Sequence, residues 1–327
     1  MRDQEEMIII AFAFFIVLQV VFLPLAIIGI SWVAYKQIRV SQKLGLSQTA
    51  IEIINGRWTM DVFGLRQDKA TRLLALQLPN NSIFGLWLAL FPLYLLYRMT
   101  GKNYIYPRVA KSGYEGIADL VVARTPVFDS YIDTHSSSAA QLVFMGAGLD
   151  TRAYGKLQDS SLDIFELDQR TTQKMKLKAL QSAKVSSDHV RFVEVDFTDP
   201  GWSDGFQNAG FDNSVKTIFV WEGVTLYLSE ADVRSTIATL RSISATNSVI
   251  ILDIYGNSFL KFASKGSAGK VLEATGESVG FGLDFSQDHD MHLQEFMASL
   301  DVKLGQRRYL GAETEKGPFV VIAELTL

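Results

Sequence analysis

Leu142–Tyr154 reads LVFMGAGLDTRAY. The apolar run Leu142-Val143-Phe144-Met145 predicts a buried strand, and it stops at Gly146-Ala147-Gly148. Two glycines there allow a tight turn and let a ligand approach the backbone. Asp150, Thr151 and Arg152 follow; Asp150 and Arg152 fit equally a pocket edge and the cap of a following helix. Alone, the stretch also fits a bare strand-to-helix turn.

The next segments favour a ligand site. Ile164-Phe165-Glu166-Leu167-Asp168 predicts a second strand ending in acid, at the distance where a nucleotide-binding α/β sheet places its ribose carboxylate, about twenty residues past the glycines. Glu166 could contribute as well, but Asp168, at the strand end, is the expected ribose ligand. Arg191–Asp196 also ends in acid, and Thr217–Val220 leads into Trp221-Glu222-Gly223. Polar residues at the carboxyl ends of four strands describe one crevice, which is where open α/β sheets bind ligands.

GAGLDTRAY, FELD, VDFTDPGW and WEGVTLYL, in this order and spacing, resemble the leucine carboxyl methyltransferase family, in particular its branch of S-adenosylmethionine-dependent methyltransferases. Ser47-Gln48-Thr49-Ala50, and Ala123-Arg124-Thr125 with Asp129, extend the resemblance from about Leu46 to the end. Gly155-Lys156-Leu157 departs from it, since the family usually has arginine directly after the tyrosine.

The resemblance implies an α/β, Rossmann-like methyltransferase fold: a mostly parallel seven-stranded sheet with a C-terminal antiparallel hairpin, under a helical N-terminal cap. It implies S-adenosyl-L-methionine as cofactor and carboxyl methylation as the favoured chemistry, on a small-molecule, lipid-like or protein acceptor. Cofactor contacts are then expected from Gly146 and Gly148 beside the methionine part, Arg124 on its carboxylate, and Asp150 at the pocket edge. Asp168 serves the ribose, Asp196 and Phe197 the adenine, and Glu222 the methionine amine or sulfonium. A carboxylate acceptor needs no general base, and no residue is assigned a catalytic role.

Composition bounds the remaining classes. The chain has 327 residues, net charge −4 and no cysteine, which excludes disulfides and thiolate metal sites; no basic block suggests a nucleic-acid partner. Its 48% hydrophobic content is concentrated locally. Met7–Tyr35 is almost uninterrupted and, at about 1.5 Å per residue, long enough to cross a ~30 Å hydrocarbon core, with Pro24 tolerated. Its acidic start and its length do not suit a cleaved signal peptide. Lys36, Arg39 and Lys43 follow this stretch while Arg2 stands nearly alone before it, so the next domain is expected on the cytoplasmic side of a membrane.

Residues 1–43 are thus read as a transmembrane anchor, 44–113 as a helical cap, and 114–327 as the methyltransferase domain. Within the cap, Ile83–Tyr97 is apolar but short. It is expected to be a membrane-surface or re-entrant segment with Trp87, Tyr94 and Tyr97 at the interface; a second span and a buried cap helix are its alternatives.

Ser229 and Asp232 predict a helix-start capping pair. Asp288-His289-Asp290-Met291-His292 invites a metal reading, but lacks a further ligand; it reads better as a helix start, with His289 or His292 beside the acceptor pocket. Two other functions stay open: a non-catalytic cofactor-binding membrane scaffold or sensor, and an NAD-dependent oxidoreductase. The latter would want a third glycine where Thr151 stands.

Overall fold

The computed structural model describes residues 2–327; Met1 lies outside the described residues. Its strands are β1 (Gln141–Met145), β2 (Asp163–Asp168), β3 (Val190–Glu194), β4 (Thr217–Trp221), β5 (Val249–Tyr255), β6 (Lys303–Leu310) and β7 (Val320–Thr326). They form one sheet in the order β3-β2-β1-β4-β5-β7-β6. The first five are parallel, while β7 runs antiparallel to both β5 and β6. The chain reverses its winding between β1 and β4, and the crevice at such a switch point is the ligand site of open α/β sheets.

The central strands are apolar runs because both faces are covered. Side chains alternate between two cores with the period of a strand. Leu142, Phe144, Ile218 and Val220 face one core with Phe128 and Ile132. Val143, Met145, Phe219 and Trp221 face the other with Ile237 and Phe296.

The helices are α1 (Arg2–Tyr35), α2 (Ser41–Leu44), α3 (Gln48–Val62), α4 (Lys69–Gln77), α5 (Ile83–Thr100), α6 (Leu120–Ser136), α7 (Arg170–Ser182), α8 (Trp202–Asn208), α9 (Glu230–Ile243), α10 (Asn257–Ala263), α11 (Gly266–Ala274) and α12 (His289–Ala298). Several starts are written in the sequence. The Ser47, Asp68 and Ser82 side chains accept from the backbone N–H three residues on, at 3.0, 2.9 and 3.1 Å. Ser229 and Asp232 form the expected capping box.

α1 and α5 are each long and apolar enough to cross a membrane by length and composition. They pack antiparallel: Phe22 meets Phe91 with ring centroids 5.3 Å apart, and Gly29 meets Gly85. A Cβ on Gly29 would stand 2.5 Å from the Gly85 carbonyl oxygen, so the close crossing requires glycine. The other side of α5 rests on α3. Trp87 packs edge-on to Trp58 at 5.4 Å and Tyr94 to Phe63 at 6.0 Å, and Tyr97 leans on Phe63 at 5.8 Å. Trp87, Tyr94 and Tyr97 are half-buried, one side of each ring packed on Trp58 of α3 or on Phe63 just after it. α1 therefore lies beside α5 rather than projecting from the domain, with Ile9, Val20 and Ile30 of its outer side 67%, 69% and 59% exposed.

Candidate functional site

A cavity of about 550 Å³ opens at the carboxyl ends of β1 to β4. The glycine turn, Asp168, Asp196, Phe197 and Glu222 line one side; the start of α3, Arg57, Phe259 and the loop around Glu277 line the other. A groove of similar volume passes Arg66, Asp129 and Asp133. It opens broadly to solvent and draws no lining residue from a strand end, so the strand-end cavity is the candidate site.

The turn after β1 has Gly146 at φ +66° and Gly148 at φ +48°, backbone angles that suit glycine. A Cβ on Gly146 would also come within 2.5 Å of Val224 Cγ2. Gly148 N–H donates to Asp168 Oδ2, and Gln169 N–H donates to Oδ1 at 2.7 Å. Burial pushes the Asp168 carboxyl above its usual range, although these backbone donors oppose the shift. Lone pairs remain on both oxygens for ligand hydroxyls. Glu166 is 1% exposed and points away, accepting from Lys176 Nζ at 2.7 Å and Tyr154 Oη at 2.8 Å. It is an internal structural group.

Asp196 Oδ1 accepts from the Thr198 N–H at 3.0 Å and the Thr198 hydroxyl at 2.7 Å. This turn leaves Oδ2 free of that work and sets Phe197 in the cavity wall, edge-on to Trp202 at 5.2 Å.

Deepest in the site, the Arg57, Arg124 and Arg152 guanidiniums meet the Asp150, Glu222 and Asp253 carboxylates. Arg57 Nη1 is 3.0 Å from Asp150 Oδ2 and its Nη2 is 2.9 Å from Glu222 Oε2. Arg152 Nη1 reaches the same Glu222 oxygen at 2.7 Å, and its Nε reaches Asp129 at 2.6 Å. Arg124 Nη1 donates to Asp253 Oδ2 at 2.8 Å and to the Tyr255 hydroxyl, and its Nε is 3.1 Å from Glu222 Oε1. Burial alone would raise the Glu222 carboxyl, but Arg152, Arg57 and Arg124 hold it down to about 2. Asp150 is likewise held well below the usual carboxylate range against burial, chiefly by Arg152 and Arg57. Asp253 is raised by its burial, with Arg124 opposing.

With every group ionised, this cluster is balanced. Yet Arg57 Nε is buried without a hydrogen-bond partner, and Arg124 Nε and Glu222 Oε1 face each other at 3.1 Å as an ion pair without hydrogen-bond geometry. A spare donor beside an ion pair that makes no hydrogen bond suits a zwitterion, whose carboxylate and ammonium meet both signs. Asp150 accepts the Arg152 N–H at 2.8 Å, so it both caps the following turn and joins the pocket cluster.

Some features depart from the sequence reading. The glycine turn leads into a three-residue 3-10 turn, Arg152–Tyr154, not an α-helix. Thr151 and Arg152 are drawn inward, Thr151 Oγ1 reaching Asp68 at 2.9 Å and Thr71 Oγ1 at 2.6 Å, and Gly155 follows at once. His289 and His292 do not line the cavity. His289 packs on Tyr309 at 4.5 Å, and His292 Nδ1 bonds the Asp284 carbonyl at 2.7 Å. Asp290 is bound by Gln294 at 2.7 Å and by the Tyr309 hydroxyl at 3.0 Å.

Sequence reasoning missed Arg57, Asp253 and Tyr255. Asp253 did leave a signal, a lone acid inside the apolar strand VIILDIY. Arg57 left none, because a basic residue on a mixed helix reads as solvated until its burial is seen.

A mixed seven-stranded sheet in this order, with its cleft at the strand ends, is the Rossmann-like methyltransferase fold. The leucine carboxyl methyltransferase family model matches residues 96–241. A Bacillus subtilis (strain 168) protein, provisionally named an S-adenosyl-L-methionine-dependent methyltransferase, is 36% identical over 135 residues, 41% of this chain and 43% of its own. A Mycobacterium bovis BCG protein with the same provisional description is 30% identical over 184 residues, 54% of this chain and 51% of its own. The chain thus spans about half the length of the curated relatives it matches. Among solved structures, an O-methyltransferase family protein from Burkholderia thailandensis aligns with TM-score 0.44 and 11% identity, over 64% of this chain and 57% of that one.

Proposed function

We propose that the protein is a membrane-attached methyltransferase that uses S-adenosyl-L-methionine and methylates a carboxylate oxygen. The observation that carries this reading is the pairing, in one cavity, of a ribose-ready Asp168 beside the Gly146–Gly148 turn with an arginine–carboxylate cluster whose unfilled hydrogen-bonding positions suit an amino-acid zwitterion.

S-adenosyl-L-methionine, when bound, supplies a methyl group activated by a sulfonium. Gly146 and Gly148 leave backbone space for its methionine part, Asp168 accepts ribose hydroxyls, and Asp196 with Phe197 receives the adenine. Arg124 and Arg57 offer donors to the carboxylate, and Glu222 an acceptor to the ammonium. The protein's remaining task is to hold the acceptor oxygen in line and keep water out. A carboxylate acceptor carries no proton to remove, which accords with a cavity whose strongest charges are already paired. The family's name supports the choice of a carboxyl group. The membrane attachment rests on the exposed apolar length of α1, and the cytoplasmic side on Lys36, Arg39 and Lys43 after it.

A direct test offers methyl-labelled S-adenosylmethionine and a membrane extract to the purified protein, then releases the product with alkali. Volatile labelled methanol, lost in Glu222→Gln, supports carboxyl methylation. Alkali-stable label would move the acceptor to another oxygen or to nitrogen. No label with bound cofactor would favour a non-catalytic sensor.

A further inference from the structure

We infer that the acceptor is a long-chain amphiphile taken from the bilayer, its carboxylate entering the cavity while its tail follows an apolar wall at the end of α1. The inference rests on the activity proposed above and names the acceptor class of that same site.

The first observation is continuity between the apolar helix and the cavity. Beyond Tyr35 the chain stays helical through a π-turn, Lys36–Val40, and α2, with Gly45 at φ +63° ending the run. Gly45 and Leu46 already line the cavity. The mouth of the site therefore begins where the lipid-suited helix stops.

The junction is also fixed in place. Gln37 Nε2 donates to Gln48 Oε1 and to Glu52 Oε1, both at 2.9 Å. Asn80 Nδ2 donates to Ser41 Oγ at 2.9 Å. These bonds tie the π-turn and α2, which continue α1, to the cap on two sides, so the mouth keeps one position relative to whatever holds α1.

Composition of the mouth indicates what passes. Leu46, Ile53, Leu120 and Phe259 contribute apolar side chains to the cavity wall. Leu44, Ile117 and Phe262, each within three residues of one of these or of Gly45, are 43%, 40% and 58% exposed. Arg39 in the π-turn and Lys43 in α2, one helical turn apart beyond the end of α1, are exposed, and cations beside an apolar helix attract anionic head groups. An apolar wall with exposed cations two and six residues before Gly45 matches an anionic head on an apolar tail. A short soluble carboxylate would leave the wall uncovered.

The transfer balances without another reactant: the carboxylate oxygen forms a bond to the methyl carbon as the carbon–sulfur bond breaks, giving a neutral methyl ester and S-adenosylhomocysteine, with no proton released.

The test reconstitutes the full chain in phosphatidylcholine vesicles with methyl-labelled S-adenosylmethionine, and compares palmitate in the bilayer with hexanoate in the water. The expected result is methyl palmitate formed at least about tenfold faster than methyl hexanoate, given how chain length is read by apolar walls. Ile53→Asn should lower the palmitate rate by a similar factor while the cofactor Kd stays within about twofold. Equal rates on both acids, or no ester from either with the cofactor bound, would overturn the inference and leave the cofactor assignment intact. Absence of cofactor binding would instead overturn the activity on which it rests.

Discussion

Arg57 and Glu222 lie 165 positions apart and meet at 2.9 Å, Nη2 to Oε2. This ion pair joins the cap helix α3 to the end of β4 at the floor of the cavity. Neither group can be removed cheaply, because each partner is buried and the survivor would keep an uncompensated charge. Glu222→Gln is expected to destabilise the fold by roughly 3–5 kcal/mol and to weaken cofactor binding. Urea unfolding followed by tryptophan fluorescence checks the first effect; an unchanged midpoint would mean that the cluster is not formed in solution.

The same carboxylate sets an acid dependence. Glu222 is held down to about 2 in the fold, below the ordinary range of about 4.3 for a free glutamate. A depressed carboxyl stabilises the fold above its unfolded pKa, and that contribution fades as pH falls through the folded one. The stability difference between wild type and Glu222→Gln should therefore be constant above pH ~5 and shrink between pH ~4.5 and ~2. Urea titrations of both proteins at several pH values measure it.

Glu166 and Asp168 should separate cleanly despite standing two residues apart. Glu166→Gln leaves the buried Lys176 without its counter-charge and is expected to cost about 3–5 kcal/mol of stability. In the protein that remains folded, cofactor affinity should be nearly unchanged. Asp168→Asn should show the reverse: little loss of stability, and about ten- to a hundredfold weaker cofactor binding, as for lost hydrogen bonds to a charged group.

At the glycine turn, two costs can be told apart. Gly146→Ala meets both its φ of +66° and Val224 Cγ2. The left-handed backbone alone costs about 1–2 kcal/mol. Adding Val224→Ala should relieve the clash and leave that backbone term, a difference visible in thermal melts of the two variants.

The α1–α5 packing can be tested because the chain has no native cysteine. Phe22→Cys with Phe91→Cys should join through a short bifunctional thiol reagent, since the native rings sit 5.3 Å apart. Adding Gly29→Leu should abolish the link by forcing the helices apart at Gly85. Linking that survives Gly29→Leu would contradict the close crossing.

Much of the sheet was legible from sequence, because buried parallel strands read as short apolar runs and their ligand-side ends as acids. Asp168, Asp196, Phe197 and Glu222 all stand in the cavity wall for that reason. Less legible were features set by partners distant in the chain. The 3-10 turn at Arg152 follows from Asp68, Asp129 and Glu222 pulling side chains inward. The contacts of Trp87, Tyr94 and Tyr97 with Trp58 and Phe63 join residues that no local pattern connects. Arg124, expected to bind a cofactor carboxylate, is held first by Asp253 and Tyr255, a restraint visible only once β5 lies beside β4.

The most direct measurement is calorimetric titration of the solubilised protein with S-adenosylmethionine, with NADH as the control ligand, on wild type and Asp168→Ala. Saturable S-adenosylmethionine binding, sharply weakened in Asp168→Ala and absent for NADH, is the predicted result. NADH binding, or S-adenosylmethionine binding that Asp168→Ala leaves intact, would contradict the assignment of this cavity.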